Sequence, residues 1–525
     1  MDISVNHFSP LADAVIGVFE KKEVSNNEPK IVVNRFLSEI VSWYEKLRNA
    51  MDIRDDEVVL KSAIERILKR RTLLGGNGKR TAEPLLRELI WAHYFPNNTL
   101  PESMIDKIAV SIDLHLALRN YLLKNKVLNE STLNEWILQL TSCDISRLLS
   151  PNTEKQAMSN LMFHVMKDLV VIQDDAEDTK NVQVYLAVRR AFAKDDVAFL
   201  RYYLFQQIFG QLTQENLAKV CSSFIKGYRE IEYQMTYPLR EKIFVFMKKR
   251  VAIFFILEDV FRQNKGTIKI LLQDSEKLKA EVFAACNARY KSVRSKVNRA
   301  IVRSVIFLIV TKAVFAFGVE GTYEKWRYGH FMWETLGINM GIPPLLMIVA
   351  SLFIQTPGKD NSQRIFDKIS MVLFESEPKI IPPLKLFVHP PKKKSLLPII
   401  FGFLGLLAFV VSFGLVISIL RDLHFDTVSQ AIFLFFLTVV SFLSYRINLT
   451  AHSYSVDEKQ GLLTPFVDFL IIPIVRVGMY LTEGISQVNF VIFIFDFLIE
   501  APLKALFMFS EQFFSYMHAR RDDLE

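Results

Sequence analysis

Two textures divide the chain. Up to about residue 300, apolar residues recur at steps of three and four with charges between them, which is the period of amphipathic helices. "DDEVVLKSAIERILKRR" opens with acids and closes with bases, as the helix macrodipole favours, and its apolar positions share a face. "STLNEWILQL" offers Thr132 as an N-cap with Glu135 three residues later, a capping box. Ser9 and Pro10 predict the start of a first short helix, as N-cap and first helical residue. "DSEKLKAEVFAACNARYKSVRSKVNRA" predicts a helix that continues into the first long apolar run. No segment of useful length alternates with the period of two that a half-buried strand requires. The expected fold class is therefore all-α: a cytosolic multi-helix domain followed by a polytopic α-helical membrane domain.

Beyond residue 300 the polar interruptions thin out. Four runs, at 304–319, 336–355, 396–420 and 428–445, approach the roughly 20 apolar residues that cross a bilayer. The expected organisation is a helical domain over 1–300, a first transmembrane pair in 301–356 and a helix with a Pro-rich strut in 357–395. A second pair in 396–446 and amphipathic, re-entrant or transmembrane helices in 461–518 complete it. Within 357–395, "DNSQRIFDKISMVLF" has helical spacing with Asn361 or Ser362 as cap, and the proline pairs at 382–383 and 390–391 force extended backbone. Around 461–511, Asp468, Arg476 and Glu483 form one polar stripe, and Asp496, Glu500, Lys504 and Glu511 another.

Composition fits this division. Half of the 525 residues are apolar, with 43 phenylalanines, an excess concentrated after residue 300. The formal net charge of +8 is modest and calls for no nucleic acid. The basic residues flank the apolar runs instead: Lys291, Arg294, Lys296, Arg299 and Arg303 before the first, Lys359, Arg364 and Lys368 after the second, Lys392, Lys393 and Lys394 before the third. By the positive-inside rule these flanks are cytoplasmic, which predicts a multi-pass protein of the cytoplasmic membrane with both termini inside and the lipid bilayer as a partner. Three scattered cysteines, Cys143, Cys221 and Cys286, predict reduced thiols rather than a disulfide framework or a zinc site.

Charges inside apolar runs mark functional sites by default, so Lys312, Asp468 and Arg476 are candidates for an ion or proton path. The structural alternative is that Asp468 and Arg476 face a helix bundle as partners and that Lys312 snorkels to the interface. His93, His115 and His164 stand singly in helical patterns and read as surface or satisfied core histidines.

The densest chemistry is "VVIQDDAEDTKN". On a helix, Asp174, Asp175 and Asp178 lie at spacings of three and four and reach one point, where their mutual repulsion would be relieved by Mg²⁺. The bland reading is a solvated corner that caps the following helix. "LLGGNGKRTAEPLL" lacks the glycine and hydroxyl residue of a Walker loop and reads as a helix end at Gly75-Gly76 and a new N-cap at Thr81. Lys79 and Arg80 at that helix start would still welcome a phosphate.

These segments carry a family resemblance. "DDAEDTKNVQVYLA" resembles the aspartate-rich segments of class I isoprenoid synthases, both the trans-prenyl diphosphate and the squalene/phytoene types. "GGNGKRTAEPLL" is similar to the diphosphate-binding turn of prenyl synthases, with one residue inserted and Glu83 where an arginine is usual. "FFILEDVFRQNKG" resembles their second acidic motif, with Glu258 and Asp259 present and Arg262 in place of a third acid. The resemblance spans residues 60–265. It implies Mg²⁺ held by Asp174, Asp175 and Asp178 opposite Glu258 and Asp259, with a polyprenyl diphosphate gripped by Lys79 and Arg80. Three functions follow: a membrane-attached, non-catalytic scaffold or binding module for a protein or lipid-linked partner; a membrane-tethered isoprenoid-synthase-like enzyme; or a transporter.

Overall fold

The computed structural model describes residues 9–21, 28–33, 56–72, 77–330, 333–375, 383–389, 397–423, 425–456 and 464–486. They form helices α1 (Pro10–Glu20), α2 (Asp56–Thr72), α3 (Gly78–Trp91), α4 (Ser103–Lys124), α5 (Glu130–Leu149) and α6 (Thr153–Met166), then a short strand β1 (Val170–Ile172). Next come α7 (Glu177–Val188), α8 (Val197–Phe209), α9 (Leu217–Met235), α10 (Arg240–Lys248), α11 (Val251–Gln263), α12 (Ile268–Gln273) and α13 (Ser275–Phe315). The remainder is α14 (Gly321–Tyr328), α15 (Trp333–Leu352), α16 (Lys359–Phe374), β2 (Leu384–Leu386), α17 (Leu397–Asp422), α18 (Thr427–Ala451) and α19 (Thr464–Ser486). The all-α class is what the helical periodicity predicted.

The chain divides into two compact units. One comprises Met1–Arg289, Pro357–Lys392 and Tyr454–Asp457, the other Tyr290–Thr356, Lys393–Ser453 and Glu458–Glu525. In the first unit, α3 packs on α2 and α4 through Ile64, Leu68, Leu85, Leu89 and Ile108, all buried. A second core forms where α5 meets α8 and α9. Trp136 sits at its centre, with Phe205, Phe224 and Tyr228 edge-on at centroid distances of 6.1, 5.3 and 5.5 Å. Such edge-to-face pairs match the positive ring rim to a negative face and add specificity to burial.

Capping corrects several expected boundaries. Ser9 accepts from the Ala12 N–H at 3.2 Å, as the Ser-Pro pair predicted. The helix expected to start at Thr132 begins a turn earlier, after Asn129, and its cap makes no side-chain hydrogen bond. Thr81 is not a cap either: Asn77 takes that place, accepting from the Arg80 N–H at 3.0 Å, and Thr81 is buried inside α3. Likewise Gly358, not Asn361 or Ser362, precedes α16. Asn361 is diverted to hold the chain at 454–456, donating to the Tyr454 carbonyl at 2.8 Å and accepting from the Val456 N–H at 2.8 Å.

The expectation of no strands is corrected as well. β1 and β2 pair in parallel, Val170 opposite Leu384 and Ile172 opposite Leu386, and the Gln173 N–H extends the ladder to the Leu386 carbonyl at 3.1 Å. Residues 384–386 are thus extended, whereas Pro382, Pro390 and Pro391 lie outside the described residues. Helix α16 itself packs on α11, and the Ser9 N–H reaches the Leu373 carbonyl at 3.0 Å.

In the second unit, α13 continues past Arg303 as expected, then widens into a single π-helical turn over Ala316–Glu320 before α14. Helix α18 packs against α15 and α19, and α17 against α19. Gly478 permits the α18–α19 approach: a Cβ there would lie 2.1 Å from the Thr438 carbonyl oxygen. Among the described residues, three helices are long and apolar enough to cross a bilayer: Ser275–Arg327, Ile399–Asp422 and Thr427–Ala451. The second expected run, 336–355, lies in α15, where the apolar part, Met340–Leu352, is shorter than a span. The second acidic and basic stripe, 496–511, lies wholly outside the described residues.

Candidate functional site

The acidic stretch is not helical at Asp174 and Asp175. It is the turn between β1 and α7, and the helix starts only at Glu177. Asp174 accepts the backbone N–H of Val388 at 2.7 Å and of His389 at 2.6 Å, one on each carboxylate oxygen. These two amides hold its carboxyl below the usual aspartate range. The His389 imidazole lies 3.7 Å from the same carboxylate, exposed to solvent. Asp175 turns the other way. Its Oδ1 accepts the Ala176 N–H at 2.7 Å and its Oδ2 accepts the Tyr237 hydroxyl at 2.7 Å. Burial and this carboxylate push the Tyr237 hydroxyl upward. Asp178 is exposed in the first turn of α7, where Glu177 pairs with Lys180.

The three aspartates therefore do not share a focus. The turn is a clasp that fastens the residues after β2 to the end of β1. Among the described residues no three Asp, Glu, His or Cys side chains are grouped to hold a metal ion. Each carboxylate oxygen of Asp174 and Asp175 accepts one N–H or O–H donor instead.

The second acidic cluster is occupied by arginines. Glu258 is buried on α11 and accepts from Arg262 at 2.8 Å; burial raises its carboxyl while Arg262 pulls it back. Asp259 takes Arg289 on both oxygens, the Nη2–Oδ1 distance being 2.6 Å, and Arg289 also donates to the Tyr454 hydroxyl at 3.1 Å. Arg262, which stands where a third acid was sought, is the counter-charge that makes burial of Glu258 tolerable.

Lys79 and Arg80 are exposed at the start of α3. The helix end they flank already has anionic and polar caps: Asp113 accepts the Gly78 N–H at 2.7 Å, and Asn77 accepts from Arg80. Asp113 carried no sequence signal, because nothing in its own spacing points 35 residues back to a glycine. Helix α3 packs on α2 and α4, whereas α7 packs on α6 and α10, so the structure engages the two halves of the expected diphosphate site with different neighbours. The histidines fall as expected: His115 is buried and hydrogen-bonded to the Ser111 carbonyl at 2.8 Å, while His93 and His164 are exposed.

Buried charge elsewhere in this unit went unnoticed in the sequence. Arg189 and Asp195, each 1 % exposed, pair at 2.6 Å across a π-helical turn over Arg189–Ala193. Arg189 also donates to the Tyr203 hydroxyl at 2.7 Å. Asp144 accepts from Ser111 at 2.6 Å and Tyr202 at 2.8 Å, and Lys61 pairs with Asp196 at 2.8 Å. Burial and the Asp144 charge push the Tyr202 hydroxyl upward, which leaves it a donor, not a nucleophile. A surface groove beside α9, with Phe209 seated on Gly227 and rimmed by Lys219 and Lys226, contains none of the residues singled out by sequence.

Lys312 in the second unit overturns the snorkelling alternative. It is fully buried, paired with Glu320 at 2.9 Å, and its ammonium lies 4.9 Å from the centre of the Phe436 ring. Glu320 is 1 % exposed and closes the π-helical turn. Asp468 and Arg476 both fall on α19, and Arg476 is exposed rather than directed into the bundle as a structural partner. Of the three candidates, Lys312 has a buried counter-charge and Arg476 is exposed, while the side chain of Asp468 lies outside those described.

No family model, no curated protein and no solved structure matches the chain. The likeness to isoprenoid synthases rests on the quoted residues alone.

Proposed function

We propose that this protein is a membrane-attached, non-catalytic scaffold: a helical body held at the cytoplasmic face of a bilayer to bind a protein or a lipid-linked partner. The observation that carries this reading is the use of the acidic stretch. Asp174 and Asp175 are spent on Val388, His389 and Tyr237, and Glu258 and Asp259 on arginines, so the charges that would serve catalysis serve the fold.

The chain's own path supports the topology. It leaves the first unit after Arg289, rejoins it over Pro357–Lys392, leaves again, and rejoins it at Tyr454. A soluble body on one face of a bilayer requires each excursion to cross an even number of times. Helices α17 and α18 supply two crossings in the second excursion. In the first, α13 supplies one, and α15 is the return arm despite its shorter apolar stretch. The basic residues at 291–303 and 392–394 then share the cytoplasmic side with both termini.

Thermal unfolding of the purified full chain with and without Mg²⁺ plus a polyprenyl diphosphate tests the non-catalytic reading. No shift is expected. A rise of several degrees that Asp178→Ala abolishes would replace the scaffold by the Mg²⁺-dependent enzyme. Reporter fusions at residues 380 and 525 test the topology, and an extracytoplasmic signal at either overturns it.

A further inference from the structure

One face of α13 changes character where the helix leads into the apolar run. Lys296, Arg299 and Arg303 follow one another at steps of three and four, so they share a helix face, and all three are exposed. The same steps continue to Ile306, Val310 and Val314, which are 56, 57 and 66 % exposed. One stripe therefore changes from cationic to aliphatic within a single turn. The opposite face is different in kind: Val293, Val297 and Leu308 are buried along it.

The surrounding sequence offers the cationic part no acid. No Asp or Glu occurs between Glu281 and Glu320. Among the described residues no carboxylate pairs with Lys296, Arg299 or Arg303. A helix rises about 1.5 Å per residue, so the three charges occupy about 10 Å directly beside the aliphatic part. The headgroup layer on each side of a bilayer is roughly 5–8 Å deep, and long basic side chains extend along the helix to stay within it.

We propose that Lys296, Arg299 and Arg303 bind the phosphates of anionic phospholipids and give the protein a preference for negatively charged bilayers. The inference rests on the reading that α13 enters the membrane. Each basic group near an anionic surface contributes a factor of roughly five in relative affinity, so three acting together give on the order of a hundredfold. Because the site is exposed, salt weakens it as the Debye length falls from about 30 Å at 0.01 M to about 8 Å at 0.15 M.

The test places the full chain in nanodiscs of phosphatidylcholine doped with phosphatidylglycerol and measures retained lipid by native mass spectrometry. Wild type is expected to enrich phosphatidylglycerol at low salt and to lose most of the enrichment as salt rises. Lys296→Gln/Arg299→Gln/Arg303→Gln should retain both lipids in proportion to supply. Lys296→Arg/Arg299→Lys/Arg303→Lys should behave as wild type, and so should Lys219→Gln/Lys226→Gln, which removes charge elsewhere. Equal enrichment in wild type and the triple Gln variant, or none in wild type, overturns the proposal. Failure of the membrane reading has a separate signature: alkaline carbonate would release the wild-type chain from vesicles.

Discussion

Replacing Lys312 by Met removes the cation from a carboxylate that is 1 % exposed, and replacing Glu320 by Gln removes the counter-charge of a fully buried ammonium. Breaking a buried ion pair from one side costs about 3–5 kcal/mol, because the surviving charge keeps its desolvation penalty and loses its compensation. Lys312→Met also forfeits the contact with the Phe436 ring, a cation–π interaction of roughly 0.5–2 kcal/mol. It should therefore be the worse of the two single variants. The double variant Lys312→Met/Glu320→Gln removes both charges together; exchanging a whole buried pair for apolar groups is close to neutral, and the amide left buried at position 320 adds about 1–3 kcal/mol. The expected outcome is a double variant within about 1–3 kcal/mol of wild type, although the single costs sum to at least about 6 kcal/mol, a strong coupling by double-mutant cycle. Equilibrium unfolding of the full chain in mixed micelles, followed by helix content, reads all four proteins. Single variants that each cost under about 1 kcal/mol, or a double variant equal to their sum, would refute the claim that the pair is a unit.

Three further outcomes follow from the same geometry. Asp174→Ala should speed hydrogen exchange at the Val388 and His389 amides without unfolding the helices. In wild type the sign is set by a depressed folded-state pKa: the clasp is complete above the ordinary aspartate range and opens as pH falls through the folded value, so unchanged exchange at low pH would count against it. Arg189→Met should destabilise the first unit by about 3–5 kcal/mol in chemical denaturation, since Asp195 is then buried beside an apolar chain. Gly478→Ala should lower the stability of the α18–α19 pair by roughly 1–3 kcal/mol, despite alanine's better helix propensity, because its Cβ meets the Thr438 backbone; a stabilised variant would refute that contact.

Helices were legible because their signal is local and repeats. The run from Ser275 into the apolar stretch was read from periodicity alone, and Ser9 from a cap beside a proline. Caps failed where a side chain had better employment. Asn361 looks like a helix start until the chain at 454–456 takes both ends of its amide. Strands of three residues have no period to read, and β1 finds its partner more than two hundred residues away. The partner of Lys312 was hidden for a geometric reason. Eight residues on a regular α-helix end about 80° round from the start, which sets Glu320 off the face of Lys312. One residue absorbed by the π-helical turn makes the offset equivalent to seven, which returns Glu320 to that face. The sequence marks the lysine as costly, but only the local widening of the helix shows what compensates it.

The same contrast accounts for the acidic turn. Six residues, 384–389, stand between two proline pairs, and proline has no N–H to offer a neighbouring strand. Pairing with β1 must therefore begin and end within those six residues, and the β ladder is registered over only Leu384, Lys385 and Leu386. The Val388 and His389 amides lie past its end and need an acceptor that can serve two donors at once. A neutral side chain would offer one carbonyl or hydroxyl, whereas a carboxylate presents an oxygen to each and forms the stronger, charge-assisted bonds. Asp174 stands two residues beyond Ile172, where β1 ends, so it faces those amides without any change in the course of the chain. Asp175 is then free to fix the turn from the other side through Tyr237. A cluster of acids after an apolar run is thus explained by the donors it meets: the stretch resembles a metal site because both tasks require carboxylate oxygens, and here backbone amides take them.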